Sequence, residues 1–348
     1  MFISSKQVFR QLIYDLVGKD SYRGITYSYA WLANQFGHIS LGFIPSFIIS
    51  NVFKITPFES ALLVSGFWFV FEIGNFLGPI LIRRVSSSRY IYLPTKRTYV
   101  FEPAWNNLAY DTITDIVFFW FGALSFSLFF SYSVLNLILI IFISFYLVYA
   151  SRYWYRTKMY QFFAGYPFQY RLSQWNLNID DSDKKNVLDF YKEAKKSKGN
   201  HLLVFGPFKH GKTSLGVALL NEFSIKHKFC TYLNVMKLFN LFHDTEVYKP
   251  SGQSLWSWKE SDFLMIDDIN PSKPITDELI TTDLFLKWMN CDGCESENKE
   301  ILSQKNVVWV IGNSKSEKQL FFQKWINMVE EIGVHPNKII SVFLDESK

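Results

Sequence analysis

Four runs of about twenty mostly apolar residues lie at 29–49, 61–82, 113–131 and 134–150 of this 348-residue chain. A run of that length matches the roughly 30 Å hydrocarbon core of a bilayer. No water there can satisfy backbone N–H and C=O groups, so each run is restricted to a helix. Residues 1–151 are therefore expected to form an all-α membrane domain with four transmembrane helices. Only Tyr132 and Ser133 separate the last two runs. A tight helical hairpin and one long bent helix both fit that spacing.

Positive charges alternate in step with these runs. Lys6, Arg10, Lys19 and Arg23 precede the first, and only Lys54 lies between the first and second. Arg83, Arg84, Arg89, Lys96 and Arg97 follow the second. None separates the third from the fourth, which Arg152, Arg156 and Lys158 follow. Lys and Arg concentrate on the cytoplasmic side of membrane proteins. The pattern predicts a multi-pass protein of the inner (plasma) membrane with both termini cytoplasmic. Polar residues before the first run, and Asn34, Gln35 and His38 within it, argue against a cleavable signal.

Those polar residues have two readings. A carboxylate in mid-membrane is costly unless paired or hydrated. Glu72 could pair with His38, or form a polar seam with it that opens onto water. Alternatively Asn34, Gln35, His38 and Asn75 join helices by hydrogen bonds, with Glu72 higher in the bilayer. Pro45 is expected to kink the first span. Residues 153–175, rich in Trp, Tyr and Phe, read as an interfacial belt within a linker, 152–199, and residues 90–109 as a second surface segment.

The C-terminal part, 200–348, has a different grammar. The apolar strand-like run 201–205 leads directly into Gly206-Pro207-Phe208-Lys209-His210-Gly211-Lys212-Thr213, and a helical pattern opens at Ser214. This is G-x-x-x-x-G-K-[ST] in the context its chemistry needs. Glycines let backbone N–H groups approach phosphates, and the helix N-terminus favours negative charge. Lys212 can reach the β- and γ-phosphates and the Thr213 hydroxyl can ligate Mg2+. Further on, 263–266 is an apolar strand ending in Asp267 and Asp268. Asp267 is suited to holding Mg2+, and Asp268 to orienting or deprotonating an attacking water. A third run, 307–311, ends at Gly312 and Asn313, which can position that water or sense the γ-phosphate. Runs 230–235 and 339–344 complete five strands alternating with helices, an α/β domain with a parallel five-stranded sheet.

The net charge is +5, but residues 180–348 hold 22 Lys, no Arg and 24 Asp plus Glu, a net −2 that leaves +7 for residues 1–179. The basic surplus lies beside the apolar runs, where anionic lipid accounts for it. The slightly acidic remainder argues against a nucleic-acid groove. Of the three cysteines, Cys291 and Cys294 have zinc-like spacing, but no second pair exists to complete four ligands. They read as two ordinary thiols.

Together GPFKHGKT, FLMIDD and VVWVIGN resemble the Walker A, Walker B and sensor 1 motifs of the AAA+ ATPases, over about 200–344. The Asp-Asp pair and short tail are similar to the bacterial helicase-loader and transposition-helper branch. The resemblance implies a P-loop ATPase using ATP and Mg2+. It implies homo-oligomers in which a neighbour's arginine finger completes each site. No guanine-specific N-K-x-D follows the second motif, which favours ATP. No Arg follows Arg171, so the finger would come from a partner protein, or Lys315, Lys318 or Lys324 would substitute without Arg's bidentate fork. The helical lid of many AAA+ proteins is also missing from the short stretch after Asn313. The membrane-associated KAP NTPases share the IDD stretch, but their spans typically interrupt the NTPase domain, whereas all four here precede it. The expected function is a membrane-anchored ATPase that couples nucleotide state to its helices or to a partner, in a setting such as bacterial defence or stress response. An ATP-gated pore, a nucleotide sensor with little hydrolysis, and a membrane-tethered nucleic-acid remodeller are the alternatives.

Overall fold

A computed structural model describes residues 2–17, 25–81, 99–243, 256–270, 278–290, 295–312 and 318–344. It divides into two units, Met1–Tyr99 with Pro103–Met159, and Val100–Glu102 with Tyr160–Lys348.

The first unit is helical: α1 (Ser5–Leu16), α2 (Tyr27–Phe53), α3 (Pro57–Leu81), α4 (Trp105–Phe130) and α5 (Val134–Phe163). The last four are long and apolar enough to cross a membrane. A break at residues 131–133 makes α4 and α5 two helices, the first of the two forms the sequence allowed. Helix α4 starts eight residues before the expected 113, and α5 runs thirteen beyond the expected 150. Hydropathy marks residence in hydrocarbon, whereas a helix continues until its backbone is capped or turned. Asn106, Asn107 and Asp111, or Arg152 and Arg156, therefore do not end one.

Helices α2 and α4 approach backbone to backbone. A Cβ on Gly42 would collide with the carbonyl of Phe119, and one on Gly122 with that of Ile39. Such close approach is how membrane helices pack when lipid removes the hydrophobic drive between them. Helix α2 runs on through Pro45. Proline has no N–H to give the carbonyl four residues back. The carbonyl in question is that of Leu41, and the Trp68 indole of α3 donates to it at 2.9 Å. Trp68 also stacks on Phe119 of α4, centroids 4.2 Å apart. Trp120 of α4 donates to the Ser65 carbonyl of α3 at 3.1 Å.

His38 meets Asp115 of α4 rather than Glu72, with Nδ1 3.4 Å from Oδ1. Gln35 Nε2 donates to the same oxygen at 3.1 Å. Glu72 takes a hydrogen bond from Asn75 on its own helix. Gln35 and His38 thus join α2 to α4 through Asp115, as the second reading had it for these two, whereas Asn34 contacts His38 within α2 at 3.5 Å.

The second unit holds α6 (Asp181–Lys196), β1 (His201–Gly206), α7 (Lys212–Ser224), β2 (Cys230–Asn234), α8 (Val235–Phe242), β3 (Phe263–Ile269), α9 (Thr282–Met289), α10 (Glu295–Ser303), β4 (Asn306–Gly312), α11 (Lys318–Glu331) and β5 (Ile339–Phe343). The strands form one sheet in the order β2-β3-β4-β1-β5. All four pairings are parallel. Parallel sheets are covered on both faces. One face packs Leu238, Phe285, Trp309 and Trp325, and the other Phe190, Leu219, Phe223 and Met265. Ala164, Tyr166, Leu172 and Trp175 belong to this second core. Tyr160 and Trp175 are buried, and the Tyr166 hydroxyl bonds Ser224 at 2.7 Å. The aromatic stretch thus supplies core residues of this unit. Of the surface segment expected at 90–109, residues 90–98 lie outside the described residues and 105–109 open α4. Phe101 is buried in the second unit, its ring 5.8 Å from that of Trp175.

Candidate functional site

The C-terminal ends of β1 and β3 flank the central strand β4, and a pocket of about 400 Å³ opens there. Ligands of open parallel sheets bind at this edge. The loop from Gly206 through Pro207, Phe208, Lys209 and His210 to Gly211 carries the chain from β1 into α7. Gly211 caps α7 at φ 77, a conformation that favours glycine. A Cβ there would strike Leu177. The Gly211 carbonyl receives the Trp175 indole at 3.1 Å and the Ser214 hydroxyl at 2.9 Å. His210 Nδ1 bonds the Phe208 carbonyl at 2.9 Å.

Lys212 is buried, and its ammonium donates to the Pro207 carbonyl at 2.7 Å. Burial pushes its pKa down to about 8, against the pull of Asp267 and Asp268. Beside it, the Thr213 hydroxyl donates to Asp267 Oδ1 at 3.1 Å. The second Asp267 oxygen accepts the Tyr232 hydroxyl at 2.9 Å. Burial, then the like charge of Asp268, raises the Asp267 pKa. Asp268 is exposed on the pocket wall with φ 61. The β3–β4 register is irregular between Ile266 and Ile269, which turns Asp268 out of the ladder.

Nine of the expected residues line the pocket together: Phe208 to Ser214 in sequence, with Asp267 and Asp268. Gly206 and Pro207 lie where β1 enters the loop. Asn313, Lys315, Cys291 and Cys294 lie outside the described residues, and nothing is assigned to the side chain of Lys318. Lys324 is exposed and interacts with Glu278. Arg171, the last arginine of the chain, is engaged within the unit, its Nε 2.8 Å from Glu222 Oε1. Three contributors were not read from the sequence. Tyr232 lies in the middle of β2, and Trp175 and Phe168 precede the α/β unit's first strand. No local motif marks them, because long-range folding brings them to the loop.

The arrangement fits a phosphate chain with a divalent cation. No group of three or more His, Cys, Asp or Glu among the described residues can hold a metal ion alone. The Thr213 hydroxyl and an Asp267 oxygen instead offer two hard oxygen ligands, as Mg2+ sites completed by phosphate and water do. The Lys212 proton gives a pH test. A phosphate chain requires the charged ammonium, and with a pKa of about 8 in the free protein that charge is present below pH 8 and lost above it. Triphosphate affinity should fall about tenfold per pH unit above about 8, measured by calorimetric titration from pH 7 to 9.5. A flat profile would contradict the assignment.

No family model matches the chain, and no curated protein matches it. Among solved structures, a crystal structure of DnaI matches at 17% sequence identity and a TM-score of 0.32, over 51% of this chain and 89% of that chain.

Proposed function

We propose that this chain is a membrane-anchored nucleoside triphosphatase, using ATP with Mg2+, whose nucleotide state in the α/β unit acts on its membrane helices or on a bound protein. The observation that carries the reading is the contact of Thr213 with Asp267, 3.1 Å apart across α7 and β3, directly beside the buried ammonium of Lys212. Those three groups have the chemistry to bind one divalent cation and one phosphate chain. Lys212 would leave the Pro207 carbonyl for phosphate oxygens. Thr213 and Asp267 would hold the cation, and Asp268 would orient the attacking water. Mg2+ would neutralise charge that develops on the transferred phosphoryl group. Arg171 is engaged with Glu222, so an arginine for the transition state would come from another protein, and a lysine of a neighbouring copy in a homo-oligomer is the alternative.

The test compares wild type with Lys212→Ala in the full chain in lipid nanodiscs. Loss of the lysine should lower turnover by about 10²–10³-fold, as removal of one preorganised transition-state donor does. Equal phosphate release by both proteins would sink the reading. Tight ATP binding by wild type without turnover would mean that the second protein is required.

A further inference from the structure

Beside the polar side chains of Lys212, Thr213, Asp267 and Asp268, two phenylalanines stand among the pocket's lining residues. Phe168 and Phe208 both line the pocket and remain 40% and 42% exposed. Phe168 stands in a short exposed stretch, Pro167 to Gln169. Tyr166, Leu172 and Trp175, on either side of it in the chain, are all buried.

The segment that carries Phe168 is fixed at both ends to the same helix. Before it, the Tyr166 hydroxyl bonds Ser224 at 2.7 Å. After it, Asn221 Nδ2 donates to the Tyr170 carbonyl at 2.8 Å, Arg171 pairs with Glu222 at 2.8 Å, and the Leu172 N–H donates to Glu222 at 3.4 Å. Ser224, Asn221 and Glu222 all belong to α7, whose first residue is Lys212. One rigid element therefore sets both the phosphate-binding lysine and the aromatic ring. An apolar ring left partly in water costs free energy. Holding it there on three anchors makes sense if a planar apolar group covers it.

We infer that Phe168 is the platform on which the base of the bound nucleoside triphosphate stacks, an inference that rests on the nucleotide reading above. Every nucleobase presents a π-face, so a stacking platform binds strongly and discriminates weakly. ATP and GTP should then bind with similar affinity, and recognition should come chiefly from the phosphate end. The sequence alone, with Phe168 in an aromatic stretch beside the spans, suggested lipid as the ring's partner.

The experiment uses the full chain, in nanodiscs and in detergent, and titrates it with Mg2+ and either ATP or inorganic tripolyphosphate. Phe168→Ala should weaken ATP binding about tenfold, the scale of a lost base–aromatic stack, and leave tripolyphosphate binding unchanged. Phe168→Trp should keep ATP binding, which separates stacking from simple misfolding. Unchanged ATP affinity in Phe168→Ala would overturn the inference. So would equal weakening of ATP and tripolyphosphate, because the ring would then support the loop rather than the base. An effect seen only in nanodiscs would assign the ring to lipid. If wild type bound neither ligand, the nucleotide reading itself would fall; if it bound both and ignored Phe168, only the platform would.

Discussion

Replacement of Asp268 by asparagine should lower nucleotide turnover by about 10²–10⁴-fold, the usual contribution of a positioned general base, while the fold and nucleotide binding survive. The expectation follows from where β3 leaves this residue. Asp268 is exposed at the pocket and has φ 61, a left-handed conformation that costs most side chains about 1–2 kcal/mol. Asp and Asn tolerate it best, because their short polar groups bond locally. Asparagine thus keeps the backbone and the size but cannot accept the proton of a water. Glycine at the same position should abolish turnover equally and raise thermal stability, because the strain is relieved. Phosphate release and thermal melting of the three proteins together check this. Turnover within a few-fold of wild type in Asp268→Asn would remove Asp268 from the chemistry.

A second large effect is expected far from the nucleotide. Leucine at Gly122 should dismantle the α2–α4 contact, because even a single carbon there collides with the Ile39 carbonyl. Overpacking a tight interior ordinarily costs about 1–3 kcal/mol and occasionally more, and a backbone obstacle cannot rotate away as a side chain can. Gly66 provides the control, since a Cβ there meets nothing within 4 Å. Gly66→Leu should be neutral or mildly stabilising, because glycine inside a helix costs about 1 kcal/mol relative to good helix formers. Size-exclusion profiles and melting in detergent should show Gly122→Leu aggregated or strongly destabilised and Gly66→Leu like wild type. Equal behaviour of the two would show that α2 and α4 do not depend on this crossing.

What could be read in advance was local. The strand, glycine loop and helix around Lys212 are consecutive in sequence, so residue type and spacing place them together, and the same holds for Asp267 and Asp268 at the end of β3. The four long apolar helices were legible because hydrocarbon would leave such backbone no alternative to helix. Their ends were not, since polar residues at 105–112 and 152–158 continue the helices outside the apolar stretch. Asp115 sat within an expected span without drawing notice, and only the folded bundle shows that His38 and Gln35 converge on it. The aromatic stretch 153–175 had the composition of a membrane interface and of a protein core alike. Burial of Tyr160 and Trp175 shows that the stretch contributes core residues, which composition alone did not say. Tyr232, 35 residues before the Asp267 it bonds, and Phe168, 100 residues before Asp268, come to the site only through tertiary folding, which no short pattern encodes.

Phe101 carries a consequence for biosynthesis. It lies between the second and third apolar helices in the chain, yet it is buried against Trp175 in the α/β unit. That unit is consequently not a contiguous piece of polypeptide. A chain that starts at Tyr160 has every strand and the whole glycine loop but leaves a phenylalanine-sized hole over Trp175, and emptying such a site costs about 3–5 kcal/mol. A full-length chain threaded through the bilayer with residues 100–102 on the opposite side has the same defect. If the apolar helices cross a bilayer, the residue thereby makes their correct insertion a condition for a complete core of the α/β unit, so that a misoriented molecule would also be a less stable one.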